Sequence, residues 1–165
     1  MLGIGPIIKS PIMVALFVGL ALTACAKKGQ LPDNSGDLVN GAAAGSQQDF
    51  TVNVGDRVFF ETDSSILTPT ARSTLDRQAQ WLLQYPNYPI TIEGHADERG
   101  TREYNLALGA RRAAATRDYL VGRGVNASRL RTISFGKERP VAVCDDISCW
   151  SQNRRAVTLL SAPSG

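Results

Sequence analysis

A carboxylate, an amide and a guanidinium occur between residues 97 and 112 at spacings that could form one ligand pocket. Asp97 follows a short run rich in β-branched residues, and a longer run with helical periodicity comes after it. Asn105, Leu108 and Arg112 are three and then four positions apart, so they share one stripe of a helix. A carboxylate and a guanidinium that face one pocket suit a zwitterion. Asp97 would accept hydrogen bonds from the ammonium, and Arg112 would bind the carboxylate.

Both charged residues also have a structural interpretation. Asp97 could cap a turn or a helix. Arg112 could be a solvated cation beside Arg111, or it could pair with Asp97 and fix the fold. A structural pair and a ligand clamp do not exclude each other, so the residues alone leave both interpretations open.

Glu93, His95 and Asp97 form a second candidate group, because residues two positions apart share one face of a strand. This spacing suggests metal binding or acid–base catalysis. One histidine with two carboxylates is a thin set of metal ligands, and no nucleophile has a base at a recognisable spacing. We therefore expect no metal, no cofactor and no catalytic residues, and we interpret His95 as a buried orienting residue.

Cys144 and Cys149 are five positions apart in a segment that precedes the last predicted strand. In an oxidising compartment, two such thiols can close a small disulfide. A zinc site would need two more ligands, and none has suitable spacing. We favour a disulfide.

Alternating strands and helices must position these side chains. Short runs of β-branched and aromatic residues predict strands, and apolar residues at i, i+3 and i+4 spacings predict helices. The predicted strands are Val58–Phe60, Ile90–Glu93, Leu130–Phe135 and Arg155–Leu160, with helices that begin at Thr68-Pro69 and Arg102. The expected buried stripe of the second helix is Leu106, Ala110, Ala113 and Leu120. The order βαβαββ predicts an α/β (α+β) fold with helices packed on a mixed sheet.

The N-terminus has the pattern of an export signal. The apolar run Ile12–Ala24 is shorter than the roughly 20 residues that span a bilayer, and it has the length of a signal-peptide core. It ends in Leu22-Thr23-Ala24-Cys25, which resembles the lipobox of bacterial lipoproteins. That resemblance implies a signal peptide over residues 1–24 and a lipidated Cys25. Ala26, in place of Asp, implies sorting to the outer membrane. The alternative is an ordinary signal with a chance cysteine.

Composition divides the rest of the chain. Residues 25–53 are rich in small and polar residues, which predicts a flexible linker, and residues 54–165 form the expected compact domain. The formal net charge is only +3, and both signs alternate through the second half. This balance argues against nucleic-acid binding.

The segment Glu93 to Ala113 resembles the peptidoglycan-binding motif of OmpA-like domains. The motif residues are Gly94-His95-Ala96-Asp97, a glycine in the following loop, Tyr104-Asn105 and Arg112-Ala113. The similarity covers Val54 to Leu160 and includes Asn153-Arg154-Arg155-Ala156-Val157. Gly109 departs from the serine usual in the family.

This resemblance implies a domain that binds peptidoglycan without enzymatic chemistry, on a mixed four-stranded sheet. Its ligand would be the free end of meso-diaminopimelate in the stem peptide. Asp97 and Arg112 would bind it, with Asn105 and Leu108 beside them and Asp63 and Ser64 at the rim. The resemblance also implies a TolB-type periplasmic protein as a second, mutually exclusive partner, and a link between the outer membrane and the wall. Two alternatives remain: a wall hydrolase that uses Glu93, His95 and Asp97, and an adhesin or spacer in which Asp97 and Arg112 serve only the fold.

Overall fold

The computed structural model describes residues 38–39 and 41–162, all within the compact unit Asn34–Gly165. Its strands are β1 Leu38–Val39, β2 Ala42–Ala43, β3 Arg57–Phe59, β4 Ile90–His95, β5 Leu130–Gly136 and β6 Arg155–Leu160. Its α-helices are α1 Gln47–Asp49, α2 Pro69–Gln84, α3 Arg102–Gly122 and α4 Ile147–Asn153. A π-helical segment, Phe50–Gly55, follows α1, and a short 3₁₀ turn, Ala127–Arg129, precedes β5. The signal segment and the lipobox cysteine, Cys25, lie outside the described residues.

A mixed four-stranded sheet in the order β3-β6-β4-β5 organises the unit. β4 and β5 are parallel, whereas β6 runs antiparallel to both β3 and β4. β1 and β2 form a separate antiparallel pair. The predicted α/β class and four-stranded mixed sheet are therefore confirmed. Because β4 and β5 are parallel, their carboxyl ends meet at one edge of the sheet, where the loop that contains Asp97 begins.

α2 and α3 begin as their sequences predict. The Thr68 hydroxyl accepts a hydrogen bond from the Ala71 amide, and Thr101 does the same for Tyr104. Pro69 occupies the first turn of α2, where its missing N–H costs nothing. The Arg129 guanidinium donates to the carbonyls of Leu82, Tyr85 and Tyr88 and so satisfies the C-terminal end of α2.

The buried face of α3 differs from the predicted stripe. Ala113 and Leu120 are buried as expected, but Ala110 is exposed. The buried face instead includes the polar side chains of Asn105 and Arg112. An alanine-rich helix gives a weak periodic signal, because alanine is compatible with either face. The helix face that carries Asn105, Leu108 and Arg112 is therefore the face that packs on the sheet.

The folded unit begins before Val54, where composition placed the end of the linker. Phe50 is fully buried in the core and packs against Trp81. The Asp49 carboxylate accepts hydrogen bonds from the Gly45 amide and the Trp81 indole at 2.9 and 2.8 Å. Burial would raise the pKa of Asp49, but these bonds and one from Asn53 outweigh it, and the pKa is lowered. A single phenylalanine among small polar residues gives no periodicity, so sequence reasoning missed this packing.

The segment between β5 and β6 contains a helix that sequence reasoning also missed. The Cys144–Cys149 disulfide, with Cα atoms 5.6 Å apart, closes the turn at the start of α4. Asn153, at the end of α4, accepts hydrogen bonds from the amides of Val141 and Ala142 and donates to the Ala142 carbonyl. The disulfide and the Asn153 hydrogen bonds hold this segment in place, so it needs no periodic apolar face. A helix of seven residues also has too few turns to show a periodic pattern in the sequence. Among residues 41–162, no helix is long and apolar enough to cross a membrane.

Candidate functional site

A pocket of about 250 Å³ lies where the loops after β3 and β4 meet the first turns of α3. Four of the sequence-predicted binding residues line it: Asp63, Asp97, Asn105 and Leu108. Residues that sequence reasoning gave no role complete the lining: Thr62, Arg99, Gly100 and Tyr104. Tyr104 is itself a motif residue and Arg99 lies within the motif segment, so their place in the motif was the signal that could have identified them.

Asp97 is the most constrained charge in this pocket. Its Oδ1 accepts from the Arg99 Nε and backbone N–H, and its Oδ2 accepts from Arg99 Nη2 at 2.7 Å. Oδ2 also lies 3.4 Å from Arg154 Nη1. Burial would raise the pKa of Asp97, but the hydrogen bonds from Arg99 outweigh it and lower the pKa below its ordinary value. Asp97 is therefore a carboxylate at neutral pH.

Arg99 is itself held by the segment that contains α4. Its guanidinium stacks over the indole ring of Trp150 at 4.2 Å from the ring centroid. The Trp150 Nε1–H donates to Glu98 Oε1 at 2.8 Å. The Arg99 side chain remains about two-fifths exposed. The pocket thus contains an accessible cation, held between a carboxylate and an aromatic ring.

The opposite rim consists of Asp63 and Tyr104. The Tyr104 hydroxyl donates to Asp63 Oδ1, and this hydrogen bond raises the pKa of Tyr104. Asp63 has a φ of 54°, a left-handed conformation that aspartate tolerates better than most residues. Between the rims, Asn105 Nδ2 donates to the Arg99 carbonyl at 2.7 Å and fixes the turn after Asp97. The pocket wall is therefore tied together by its own polar groups.

Arg112, which the sequence predicts to bind the ligand's carboxylate, does not line the pocket. This residue is fully buried, and its guanidinium donates to the backbone carbonyls of Ser64, His95 and Glu61 at 2.8, 2.8 and 3.1 Å. Burial lowers the pKa of Arg112 to about 10, so it remains a cation at neutral pH. It is neither a solvated surface cation nor hydrogen-bonded to Asp97. It joins the β3 loop to the end of β4 and adds positive charge near Asp63 and Asp97.

Ser64, predicted at the pocket rim, serves the loop instead. Its hydroxyl accepts from the Ile66 amide, and its carbonyl accepts from Arg112. Its side chain therefore shapes the β3 loop and does not line the pocket.

Glu93, His95 and Asp97 do not form one site. The β4–β5 register shifts between Gly94 and His95, and β4 ends at His95, so the strand alternation does not extend to Asp97. His95 stacks on Phe135, while Asp97 pairs with Arg99. No group of three or more metal-ligating side chains occurs in the part of the chain that the structure describes.

His95 is buried in an unusual state. Within the described residues neither ring nitrogen has a hydrogen-bond partner, although Oε2 of Glu93 lies 3.4 Å from Nε2. Burial, with the nearby charges of Arg155 and Arg139, lowers the pKa of His95 to about 4. The ring is neutral at physiological pH and packs as an aromatic side chain.

A larger cleft of about 540 Å³ lies at the other end of β4 and β5, lined by residues 86–91, 128, 129, 131 and 161. Its half-buried cation, Arg129, already donates to the carbonyls of Leu82, Tyr85 and Tyr88. The larger volume of this cleft therefore does not identify it as the functional site, because the motif residues lie at the opposite ends of β4 and β5.

The motif, the four-stranded sheet and the pocket beyond the C-terminal end of β4 define the class of domain. The chain belongs to the OmpA family, whose model matches residues 59–154. It is 71% identical over 157 residues to the peptidoglycan-associated lipoprotein of Rhizobium meliloti, covering 93% of this chain and 89% of that protein. It is 67% identical to the protein of the same name from Agrobacterium fabrum, covering 92% and 88%.

Solved structures show the same fold. The crystal structure of the peptidoglycan-associated lipoprotein from Burkholderia pseudomallei superposes with a TM-score of 0.66 at 38% identity, covering 70% of this chain and all of that one. The C-terminal domain of Helicobacter pylori MotB superposes with a TM-score of 0.62, covering 66% of this chain and 86% of that one. Its identity of 24% supports a shared fold and nothing further.

Proposed function

We propose that this protein is a lipoprotein of the cell envelope whose folded unit binds peptidoglycan non-covalently and without enzymatic chemistry. The observation that carries the proposal is the pocket around Asp97, which combines a carboxylate and nearby cations in a chain 71% identical to a peptidoglycan-associated lipoprotein. The hydrolase alternative has no such support, since His95 is buried and neutral and lies apart from Asp97.

The ligand chemistry that this pocket fits is the ammonium–carboxylate end of meso-diaminopimelate in a wall stem peptide. Asp97 would accept the ammonium. Arg112 would favour the carboxylate through its buried positive charge, while its hydrogen bonds to the Ser64 and Glu61 carbonyls would hold the β3 loop in place. Asn105, Leu108 and Asp63 would provide the wall and rim of the pocket.

The anchor would be acyl chains on Cys25, with residues 1–24 removed as a signal peptide. The name lipoprotein, which the relatives share, supports this assignment. The residues before the hairpin of β1 and β2 would then tether the folded unit to the outer membrane, facing the periplasm. Several acyl chains anchor stably, because each buried CH₂ contributes about 0.8 kcal/mol.

A tether with one end in lipid and the other on the wall links two envelope layers. We propose that it does so within a Tol–Pal-type system and supports outer-membrane constriction in cell division. A TolB-type periplasmic protein would be the second partner. It would compete with the wall if it contacts the loops that form the pocket.

Sedimentation with purified insoluble peptidoglycan tests wall binding. The soluble unit Asn34–Gly165 would be compared with Asp97→Asn, which keeps the side-chain shape and removes the charge. The wild-type unit should enter the pellet, and Asp97→Asn should stay in the supernatant with an unchanged circular dichroism spectrum. Arg111→Ala, which alters an exposed neighbour of Arg112, is the matched control and should sediment like wild type. A wild-type unit that stays in the supernatant would refute the proposal.

A further inference from the structure

The acceptor positions of Asp97 are filled in the ligand-free structure. Each carboxylate oxygen has about two lone-pair positions. Oδ1 accepts two hydrogen bonds from Arg99, and Oδ2 accepts one from Arg99 and one from Arg154. An incoming ammonium therefore finds no free acceptor on the carboxylate.

Arg99 is the partner that can leave. Its side chain is about two-fifths exposed, whereas that of Arg154 is buried and also donates to the Phe60 carbonyl. Arg99 uses its Nε and Nη2 on Asp97, and its Nη2 also lies 3.5 Å from the Thr62 hydroxyl. Rotation of this side chain would free two lone-pair positions on Asp97 and leave the Arg154 contact intact.

Trp150 determines how firmly Arg99 stays on Asp97. Its ring covers the guanidinium at 4.2 Å, and its hydrogen bond to Glu98 fixes the ring's orientation. Trp150 directly follows Cys149, which the disulfide joins to Cys144, and the Asn153 side chain closes the same segment. The ring is thus attached to a covalently closed loop that has little freedom to follow Arg99.

We infer that Arg99 is an internal occupant of the ammonium position in the binding pocket, and that Trp150 is the positioning residue that holds it there. Ligand binding displaces Arg99 from Asp97 and from the face of Trp150. This inference rests on the proposed binding of a diaminopimelate end, and it adds a contact within the site that the ligand must break. The Arg99–Asp97 pair therefore lowers affinity and favours ligands whose ammonium replaces the guanidinium well.

The test uses the full chain in detergent, titrated with a stem tripeptide that ends in meso-diaminopimelate. Arg99→Ala should bind about two- to five-fold more tightly than wild type, the range expected for loss of a partly exposed ion pair. Trp150→Ala should change affinity in the same direction by less. Trp150→Phe keeps an aromatic face for Arg99 but loses the hydrogen bond to Glu98, so its affinity should lie between those of wild type and Trp150→Ala. Arg102→Ala, which removes a nearby exposed arginine on α3, is the matched control and should leave affinity unchanged.

NMR spectroscopy gives a second readout, which follows the contact between the Arg99 guanidinium and the Trp150 ring. The chain has two tryptophans, so its spectrum contains two indole N–H resonances, and Trp150→Phe identifies the one from Trp150. This resonance should shift when Arg99 is replaced by Ala without ligand. It should also shift in wild type on titration, in proportion to occupancy.

The outcomes separate the two proposals. If wild type does not bind the tripeptide or the wall, the proposed function fails. If wild type binds but Arg99→Ala binds more weakly, Arg99 is a ligand contact and the inference is wrong. The inference would also be wrong if the indole resonance of Trp150 shifts neither in Arg99→Ala nor on addition of ligand.

Discussion

The backbones of Gly94 in β4 and Gly109 in α3 touch each other. A Cβ atom on Gly94 would lie 1.9 Å from the Gly109 carbonyl oxygen, and one on Gly109 would lie 2.4 Å from Ser134 Oγ. β4 leads to Asp97 and α3 carries Asn105, so this contact joins the two elements that carry these pocket residues. The glycine that departs from the usual family serine is therefore a packing requirement in this chain.

Substitution of either glycine should separate α3 from the sheet. Gly94→Ala should destabilise the fold most, by about 3 kcal/mol or more, because it meets backbone atoms that cannot move aside. Gly109→Ala should cost less, since its shortest contact is the small side chain of Ser134 and its nearest backbone atom, the Gly94 carbonyl oxygen, is farther away at 2.8 Å. Urea unfolding measures both effects. Gly122→Ala is the control, because its Cβ would meet nothing within 4 Å, and it should be neutral or stabilising. Equal stability of all three variants would contradict the contact.

Arg112 should prove essential for stability as well as for binding. Arg112→Ala removes a donor from the carbonyls of Glu61, Ser64 and His95 and leaves Glu61 only the Ser64 amide, so we expect a loss of at least about 3 kcal/mol in the free energy of unfolding. Arg111→Ala, at an exposed position, should change it by less than about 0.5 kcal/mol. Chemical denaturation checks both variants. Similar small effects would mean that the three carbonyls find other partners.

His95 should make the folded state sensitive to mild acid. Its pKa is 6.5 when unperturbed and about 4 in the folded protein, so between these values only the unfolded chain binds the proton. Stability should therefore fall as the pH decreases through this window, by about 2 kcal/mol between pH 7.5 and 5. His95→Phe keeps the ring beside Phe135 but cannot titrate, and it should lose most of this dependence. Urea midpoints at the two pH values measure this pH dependence. Equal changes in wild type and His95→Phe would show that His95 is not its source.

The Cys144–Cys149 disulfide should stabilise the unit modestly. It closes a short loop, for which chain entropy predicts about 2 kcal/mol. The double variant Cys144→Ser and Cys149→Ser should lower the melting temperature, and reductant should lower that of wild type but not that of the variant. An identical response of both proteins to reductant would show that the bridge is not formed.

The N-terminal boundary can be tested by truncation. A chain that begins at Val54 loses the burial of Phe50 and the Asp49 partner of Trp81, so it should be less stable than one that begins at Gly41 by about 3 kcal/mol or more. Thermal melts of the two chains compare them directly. Equal melting temperatures would restore the shorter boundary that composition predicts.

The sequence alone determined the four strands of the main sheet, the two long helices and the chemistry of the motif. Periodicity located the strands and both long helices, since their signals are local and repeat over many residues. The motif spacing brought Asp97, Asn105 and Leu108 to one pocket, because strand ends and helix stripes follow fixed geometry. The family resemblance, and not spacing, placed Asp63 at its rim.

Only the tertiary structure decided which polar atoms are already used. Arg112 meets carbonyls 48 and 51 positions earlier in the chain, and Trp150 meets Glu98 across 52 positions. Such pairings depend on how loops from distant segments close over the sheet, and no local pattern encodes them. The sequence showed a carboxylate and a guanidinium that suit a zwitterion. The fold buried the guanidinium of Arg112 and placed a different cation, Arg99, on the carboxylate.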